Sequence, residues 1–349
     1  MPLLMIRNDI TKMQVDAVVN PANRNLEEGR GTSWAIFEAA GEKKLAEACR
    51  KIGTCEVGSA ALTNGFALPA KYVIHAVCPV WQDGNSGEKE LLERTYLSVL
   101  RLAKQHQAES VAVPLLSSGF YGYPKAEALH AATAAISTFL LREDMTVYLV
   151  LYDHESVEIS KRLFASIEEY IDDHYVAEKD EGYLPHADPS AAVCQANTEY
   201  REEKRNRKKA GNILIPDFLK RLSPSKGRRL KELMDRREET FSEMLIRLID
   251  ERGLKDSVVY RKANIDRRLF SKIRNDIQYA PSKKTVLAFA VALELSLDET
   301  KDLLMKAGYA FSNSSKSDII ISFFIENGQY DVFTINEILF AYGQPILGA

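Results

Sequence analysis

Asn8-Asp9-Ile10-Thr11 sets a carboxylate between an amide and a hydroxyl, and a carboxylate accepts hydrogen bonds from an exocyclic amino group. Asn20-Pro21-Ala22-Asn23 carries two side-chain amides, a chemistry that hydrogen-bonds sugar hydroxyls. Gly29-Arg30-Gly31-Thr32 and Ser117-Ser118-Gly119-Phe120-Tyr121-Gly122 are rich in small residues, and Tyr152-Asp153 adds an aromatic ring. Small-residue loops at a helix start present backbone N–H groups to an anion, above all a phosphate. Each stretch alone has a plainer explanation. Asp9 suits a turn or a helix cap, and Gly29-x-Gly31 lacks the third glycine of a dinucleotide fingerprint. No Gly-Lys-Ser/Thr is present to form a P-loop.

Such stretches need elements to carry them. Apolar runs at residues 3–7, 17–20, 72–77, 111–116 and 147–152 predict strands, and three- and four-residue apolar spacing predicts helices over 33–40, 90–104, 125–141 and 157–170. This alternation predicts an α/β fold with a mixed, mostly parallel sheet between helices. Ligands of such sheets lie outside the carboxyl ends of the strands, where all of the polar stretches fall.

In their order along the chain the motifs resemble those of the macro domain, an ADP-ribose-binding module, over about residues 3–172. Asp9-Ile10-Thr11 is similar to its Gly-Asp-Ile-Thr element, Asn20-Pro21-Ala22-Asn23 to its Asn-Ala-Ala-Asn run, and Ala39-Ala40-Gly41 to its Ala-Ala-Gly. His75 to Trp81 resembles a His-x-Val-Gly-Pro-x-Trp segment, and Pro114 to Pro124 its second phosphate loop. The resemblance implies ADP-ribose, a relative of it or an ADP-ribosylated macromolecule as ligand, and no cofactor. Asp9 would hold the adenine amino group, Ile10 would contact the ring and Tyr152 would stack on it. Asn23 would face the distal ribose, with Asn20 counted among the ligand-binding residues. Gly31 and Thr32 would form the first phosphate loop, and Ser117, Ser118, Gly119, Phe120 and Tyr121 the second.

Departures from the pattern bear on catalysis. The hydrolase branch of the family carries four glycines, a hydrophobic residue and Asp-Gly where this chain reads Glu28-Gly29-Arg30-Gly31-Thr32-Ser33-Trp34. Ser33 stands in the place of the catalytic acid, and a hydroxyl without a partner does not act as a general base at neutral pH. Asn23 is the remaining catalytic candidate. No Lys lies between Lys12 and Lys43 to serve the lysine-dependent branch. Binding is therefore favoured over turnover, with an ADP-ribosyl hydrolase of rearranged site as the alternative. His75 lies in an apolar strand and reads as a core histidine, and the four cysteines lack CxxC spacing, so no metal site is expected.

The 349 residues, 46% hydrophobic and 27% charged, suit two domains. A net charge of −3 conceals an acidic stretch at 177–200, net −4, followed by a basic one at 201–231, net +9. We read 1–174 as the macro domain, 175–211 as a charged linker and 212–349 as an all-α helical domain. Within the last, 241–308 divides into five short helices and resembles a Cro/repressor-type helix-turn-helix, with Asp266 capping the third. Tyr260 departs from the small alanine that this family usually packs between the two helices of the motif. Residues 261–284 are net +6. Arg267, Arg268, Ser271, Lys272, Arg274 and Asn275 would face double-stranded DNA, and Lys283 and Lys284 would hold phosphates. The competing reading is a helical module that binds protein. The apolar tail, 315–349, either docks on the chain's own core or forms a homodimer interface. No apolar run reaches membrane-spanning length and the N-terminus lacks a signal-peptide pattern, so a cytoplasmic protein with no membrane partner is expected.

Overall fold

The computed structural model describes residues 2–151, 167, 170, 171 and 239–348. Tyr152, most of the helix expected over 157–170, and the linker expected over 175–211 lie outside these residues. Six strands, β1 (Leu3–Ile6), β2 (Ala17–Ala22), β3 (Ala60–Asn64), β4 (Tyr72–Val77), β5 (Ser110–Pro114) and β6 (Thr146–Val150), form one sheet in the order β1-β6-β5-β2-β4-β3. All pairs are parallel except β3 with β4. Parallel neighbours require crossover helices, which cover both faces. These are α1 (Thr32–Ala40) and α2 (Glu42–Ile52) on one side, and α3 (Glu88–Gln105) and α4 (Lys125–Leu140) on the other.

Period-two alternation divides the central strands between two cores. Ala17 and Val19 of β2, Ile74 of β4 and Val111 of β5 pack with Leu92 and Tyr96 of α3 and Leu129 of α4. Val18, Val73 and Ala112 point the other way, to Ile36 and Phe37 of α1 and Leu45 of α2. Two elements escape the sequence reading. β3 reads Ala-Ala-Leu-Thr-Asn, with little β-branched content and no alternation of burial. α2 buries only Leu45 and Cys49, one turn apart, between Gly41 and Gly53.

The C-terminal helices are α5 (Phe241–Glu251), α6 (Asp256–Lys262), α7 (Arg267–Asn275), α8 (Lys283–Ala292), α9 (Leu297–Lys306), α10 (Lys316–Glu326) and α11 (Val332–Ala341). Their starts are set by side chains that take orphan N–H groups. Thr240 and Ser296 form capping boxes with Glu243 and Glu299, and Asp266, Ser282, Ser315 and Asp331 cap the rest, α6 excepted. Tyr260 is buried beside Phe270, ring centroids 5.8 Å apart, so the larger residue is accommodated between α6 and α7.

The described residues before 176 and from 240 onward make one compact unit. Among the described residues no strand pairs with the outer edge of β1, and Asn264, in the turn between α6 and α7, takes that place. Its Oδ1 accepts from the Leu3 N–H at 2.7 Å, and its Nδ2 donates to the Leu3 carbonyl at 3.0 Å and the Leu347 carbonyl at 3.3 Å. Arg261 donates to Asp144 at 3.1 Å, and Glu337 of α11 accepts from Thr133 of α4 and lies 3.7 Å from His130. The tail's Ile319, Ile320, Ile321, Phe324 and Leu339 lie in the helical core, and Phe333 enters the core of the α3–α4 face. Of the two roles expected for this tail, docking on the chain's own core is the one observed. Among the described residues no helix is long and apolar enough to cross a membrane, and no acidic, histidine or cysteine cluster could hold a metal.

Candidate functional site

Loops at the carboxyl ends of the parallel strands β1, β2 and β5 lie at one end of the sheet. After β1, Asp9 caps a short 3-10 turn (Ile10–Lys12): its Oδ1 accepts from the Thr11 N–H at 3.0 Å and the Thr11 hydroxyl at 2.7 Å. Lys12 lies 3.1 Å from Oδ2. The Thr11 hydroxyl, aided by Lys12, holds the Asp9 carboxyl below its ordinary value. Asp9 remains exposed, so the carboxylate keeps acceptor capacity toward solvent. Ile10, expected to touch an adenine ring, has its side chain buried in the α1–α2 core; only its backbone edge is left for the cleft.

Asn20 corrects a further expectation. It is fully buried, and its Nδ2 donates to His75 Nδ1 at 3.0 Å. That bond puts the imidazole proton on Nε2, 3.0 Å from the Thr63 hydroxyl oxygen. Burial pushes the His75 pKa down to about 4, so the ring is a neutral core group, as its strand position suggested. Asn20 thus positions β2 from within. Asn23, three residues on, reaches the loop: its Oδ1 accepts from the Asn25 and Glu27 N–H groups at 3.0 and 3.2 Å, and its Nδ2 donates to the Glu27 carbonyl at 3.3 Å.

The first small-residue loop runs into α1. Gly31 sits at φ 61°, a left-handed conformation that glycine adopts without strain, and Thr32 opens the helix. Ser33 is buried, and its hydroxyl accepts from the Gly29 N–H at 3.1 Å. Trp34 stands 52% exposed beside it.

The second loop follows β5. Tyr96 of α3 accepts from the Leu116 N–H at 2.9 Å and so fixes its start. Ser117 is left-handed (φ 64°) and buried, and its hydroxyl donates to the Pro79 carbonyl at 2.9 Å. The Ser118 hydroxyl donates to the Leu115 carbonyl at 2.8 Å. Both hydroxyls, expected to face a ligand, are therefore engaged in shaping the loop. Among the described residues the N–H groups of 118–121 have no protein acceptor, whereas Gly122 and Tyr123 donate back to Gly119 and Ser117. What the loop offers is a row of backbone donors. Arg30 of the first loop lies over the Phe120 ring of the second, 5.3 Å from its centroid.

One organising residue carries no motif. Glu88, at the start of α3, accepts from the N–H groups of Gln82, Asp83 and Gly84 at 3.1–3.2 Å and of Ser86 at 2.7 Å. Burial acts to raise its pKa, but the backbone donors prevail and hold it at about 2. The loop so gathered includes Trp81, whose N–H donates to the Tyr121 carbonyl at 2.9 Å. An acidic residue opening a helix just after a glycine-rich turn was the available signal.

A second group of expected site residues lies on α7 and α8. Arg267, Arg268, Ser271, Lys272, Arg274 and Asn275 are exposed. Arg274 pairs with Asp256 at 2.5 Å, Lys272 lies over Tyr279, and Asn275 donates to Ser271 at 3.3 Å. Lys283, expected to hold a phosphate, instead pairs with the buried Asp318 of α10, and this internal partner occupies its charge. Lys284 lines a cavity of about 510 Å³ with residues 4–7 and Phe340.

The Macro domain profile matches residues 19–132. A macro domain-containing protein of Methanosarcina mazei is 42% identical over 165 residues, spanning 47% of this chain and 88% of the relative. The chain belongs to the macro domain family. The relation covers the α/β half, and the profile match ends before α5. An Enterobacter relative named O-acetyl-ADP-ribose deacetylase is 44% identical over 165 residues, 46% of this chain and 91% of that one. The Trypanosoma brucei macrodomain, solved in complex with ADP-ribose, is 32% identical, covering 44% of this chain and 65% of that one at a TM-score of 0.41.

Proposed function

We propose that the macro domain cleft binds ADP-ribose or a close derivative. The observation that carries this reading is the approach of two loops, 29–32 and 117–122, with unpartnered backbone N–H groups on the second. Such a pair suits a diphosphate, and Asp9 beside it suits an adenine amino group. Calorimetry with ADP-ribose tests it: binding is expected, and no heat at millimolar ligand would end the reading.

The name of the Enterobacter relative favours a second reading, hydrolysis of an O-acyl or related ADP-ribose linkage. Against it stands Ser33, a buried hydroxyl already accepting from Gly29, in the place of the acid. Assays with O-acetyl-ADP-ribose separate the two. The binder reading expects turnover at or near background, and efficient release of acetate would replace it with the hydrolase.

We further propose that the exposed face of α7, with Arg267, Arg268, Ser271, Lys272 and Asn275, couples ligand recognition to DNA. Support comes from the basic side chains left on one face of this helix. DNA binding should weaken steeply with salt. Absence of binding even at low salt would leave the helices as a protein-interaction module.

A further inference from the structure

Parallel pairing fixes which way each residue of β1 turns its backbone. The Val147 N–H donates to the Pro2 carbonyl and the Leu151 N–H to the Ile6 carbonyl. With Leu3 opposite Val147, residues 2, 4 and 6 serve β6, and Leu3 and Met5 turn N–H and C=O outward. At Leu3 one side-chain amide, that of Asn264, satisfies both groups. Met5 needs the same pair two residues on. It is buried, and among the described residues no protein group bonds its outward N–H or C=O. Buried backbone groups of this kind demand a partner. The space beside Met5 is the cavity of about 510 Å³ that Lys284 borders. The tail segment 343–346 forms another wall, and its Pro345 has no N–H to give. Both charged residues of the lining, Arg7 and Lys284, are cations. Arg7 is exposed, stands over the Phe340 ring at 5.4 Å from its centroid, and has no carboxylate partner among the described residues.

We propose that this groove receives an extended acidic peptide of another protein, added to the sheet beside β1. The peptide backbone gives Met5 the acceptor and donor that the Asn264 amide gives Leu3. A carboxylate of the peptide meets Arg7, whose guanidinium keeps its in-plane N–H donors while it lies over a ring. Strand addition draws affinity from main-chain bonds and selectivity from side-chain contacts, and here the selecting contact is charge-assisted. Asn264 blocks the ladder at Leu3, so the added stretch runs from Met5 towards Arg7. That is a length of about 10 Å, or three extended residues. The proposal is independent of the ADP-ribose reading.

The test selects random phage-displayed peptides on the full-length protein and reads hydrogen exchange at the Met5 amide. Selection should enrich peptides with Asp or Glu in a β-branched stretch. A synthetic copy of an enriched peptide should slow exchange at Met5. Arg7→Glu should weaken its binding about ten- to hundredfold, the scale of a hydrogen bond to a charged group, and Arg7→Lys should retain part of the affinity. No enrichment, enrichment without acidic residues, an unprotected Met5 amide or unchanged affinity in Arg7→Glu overturns the proposal. A Met5 amide already protected in the free protein overturns it too, because another part of the chain, or a second copy seen by sedimentation, then holds the edge.

Discussion

Asp9 uses one carboxylate for two tasks. Oδ1 ties the turn through Thr11, and Oδ2, beside Lys12, stays exposed. Its replacement by Ala should weaken ADP-ribose by ~1–3 kcal/mol, the scale of one lost hydrogen bond to a charged group, as read by calorimetry. Because Thr11 and Lys12 lower its pKa from 3.8, the acceptor stays ionised through the mildly acidic range. Affinity should therefore be level from pH 8 to about pH 5 and decline only below the ordinary carboxylate value. A decline beginning near pH 6 would point to a different group. Asn20 and Asn23 look alike in sequence, yet one is an internal strut bonded to His75 and the other braces a loop. Motif spacing cannot separate those roles, because it does not say where β2 ends.

At the scale of elements, strands with strong apolar runs were legible: 72–77 is found as Tyr72–Val77, and α7 falls on 267–275 as expected. β3 and α2 were not, since an alanine-rich edge strand and a helix burying two side chains leave little periodic signal. The 82–88 loop left only a local signal, an acidic residue opening a helix after a glycine-rich turn, because its order comes from one carboxylate gathering four N–H groups. Glu88→Gln should lower the melting temperature and loosen this loop to proteolysis. The acid side of the stability profile gives a sharper check. A native pKa of about 2 against 4.5 means that the Glu88 contribution is present above pH 4.5 and is lost as pH falls toward 2. Wild type should therefore lose stability over that window by more than the variant does. Parallel profiles would show that the carboxylate charge is not what orders the loop.

For the whole molecule, the joint between sheet and helices decides how it unfolds. Asn264→Ala leaves the Leu3 N–H and carbonyl buried without partners and should cost about 1–3 kcal/mol in urea denaturation, with both halves melting in one transition. An early transition confined to the helices would show that the seam is not cooperative. Its pH dependence has a definite sign. The Glu337 hydrogen bond raises the His130 pKa above 6.5, and burial raises that of Glu337 above 4.5. Both groups hold protons more tightly when docked, so their contribution is full below these ordinary values and is lost as pH rises through the raised ones. The melting-temperature advantage of wild type over Glu337→Gln should shrink between pH 5 and pH 8; a constant or growing advantage would contradict this. The same joint sets a clock on biosynthesis. Leu3 and Asn264 are 261 residues apart, which at ribosomal speed is roughly 10–50 s of translation. For that interval the Leu3 N–H and carbonyl lack their Asn264 partner, and unpaired groups on a strand edge are of the kind that pairs with strangers. Slowing translation across α6 should therefore lower the yield of soluble chain, and a chaperone that shields β-edges should restore it.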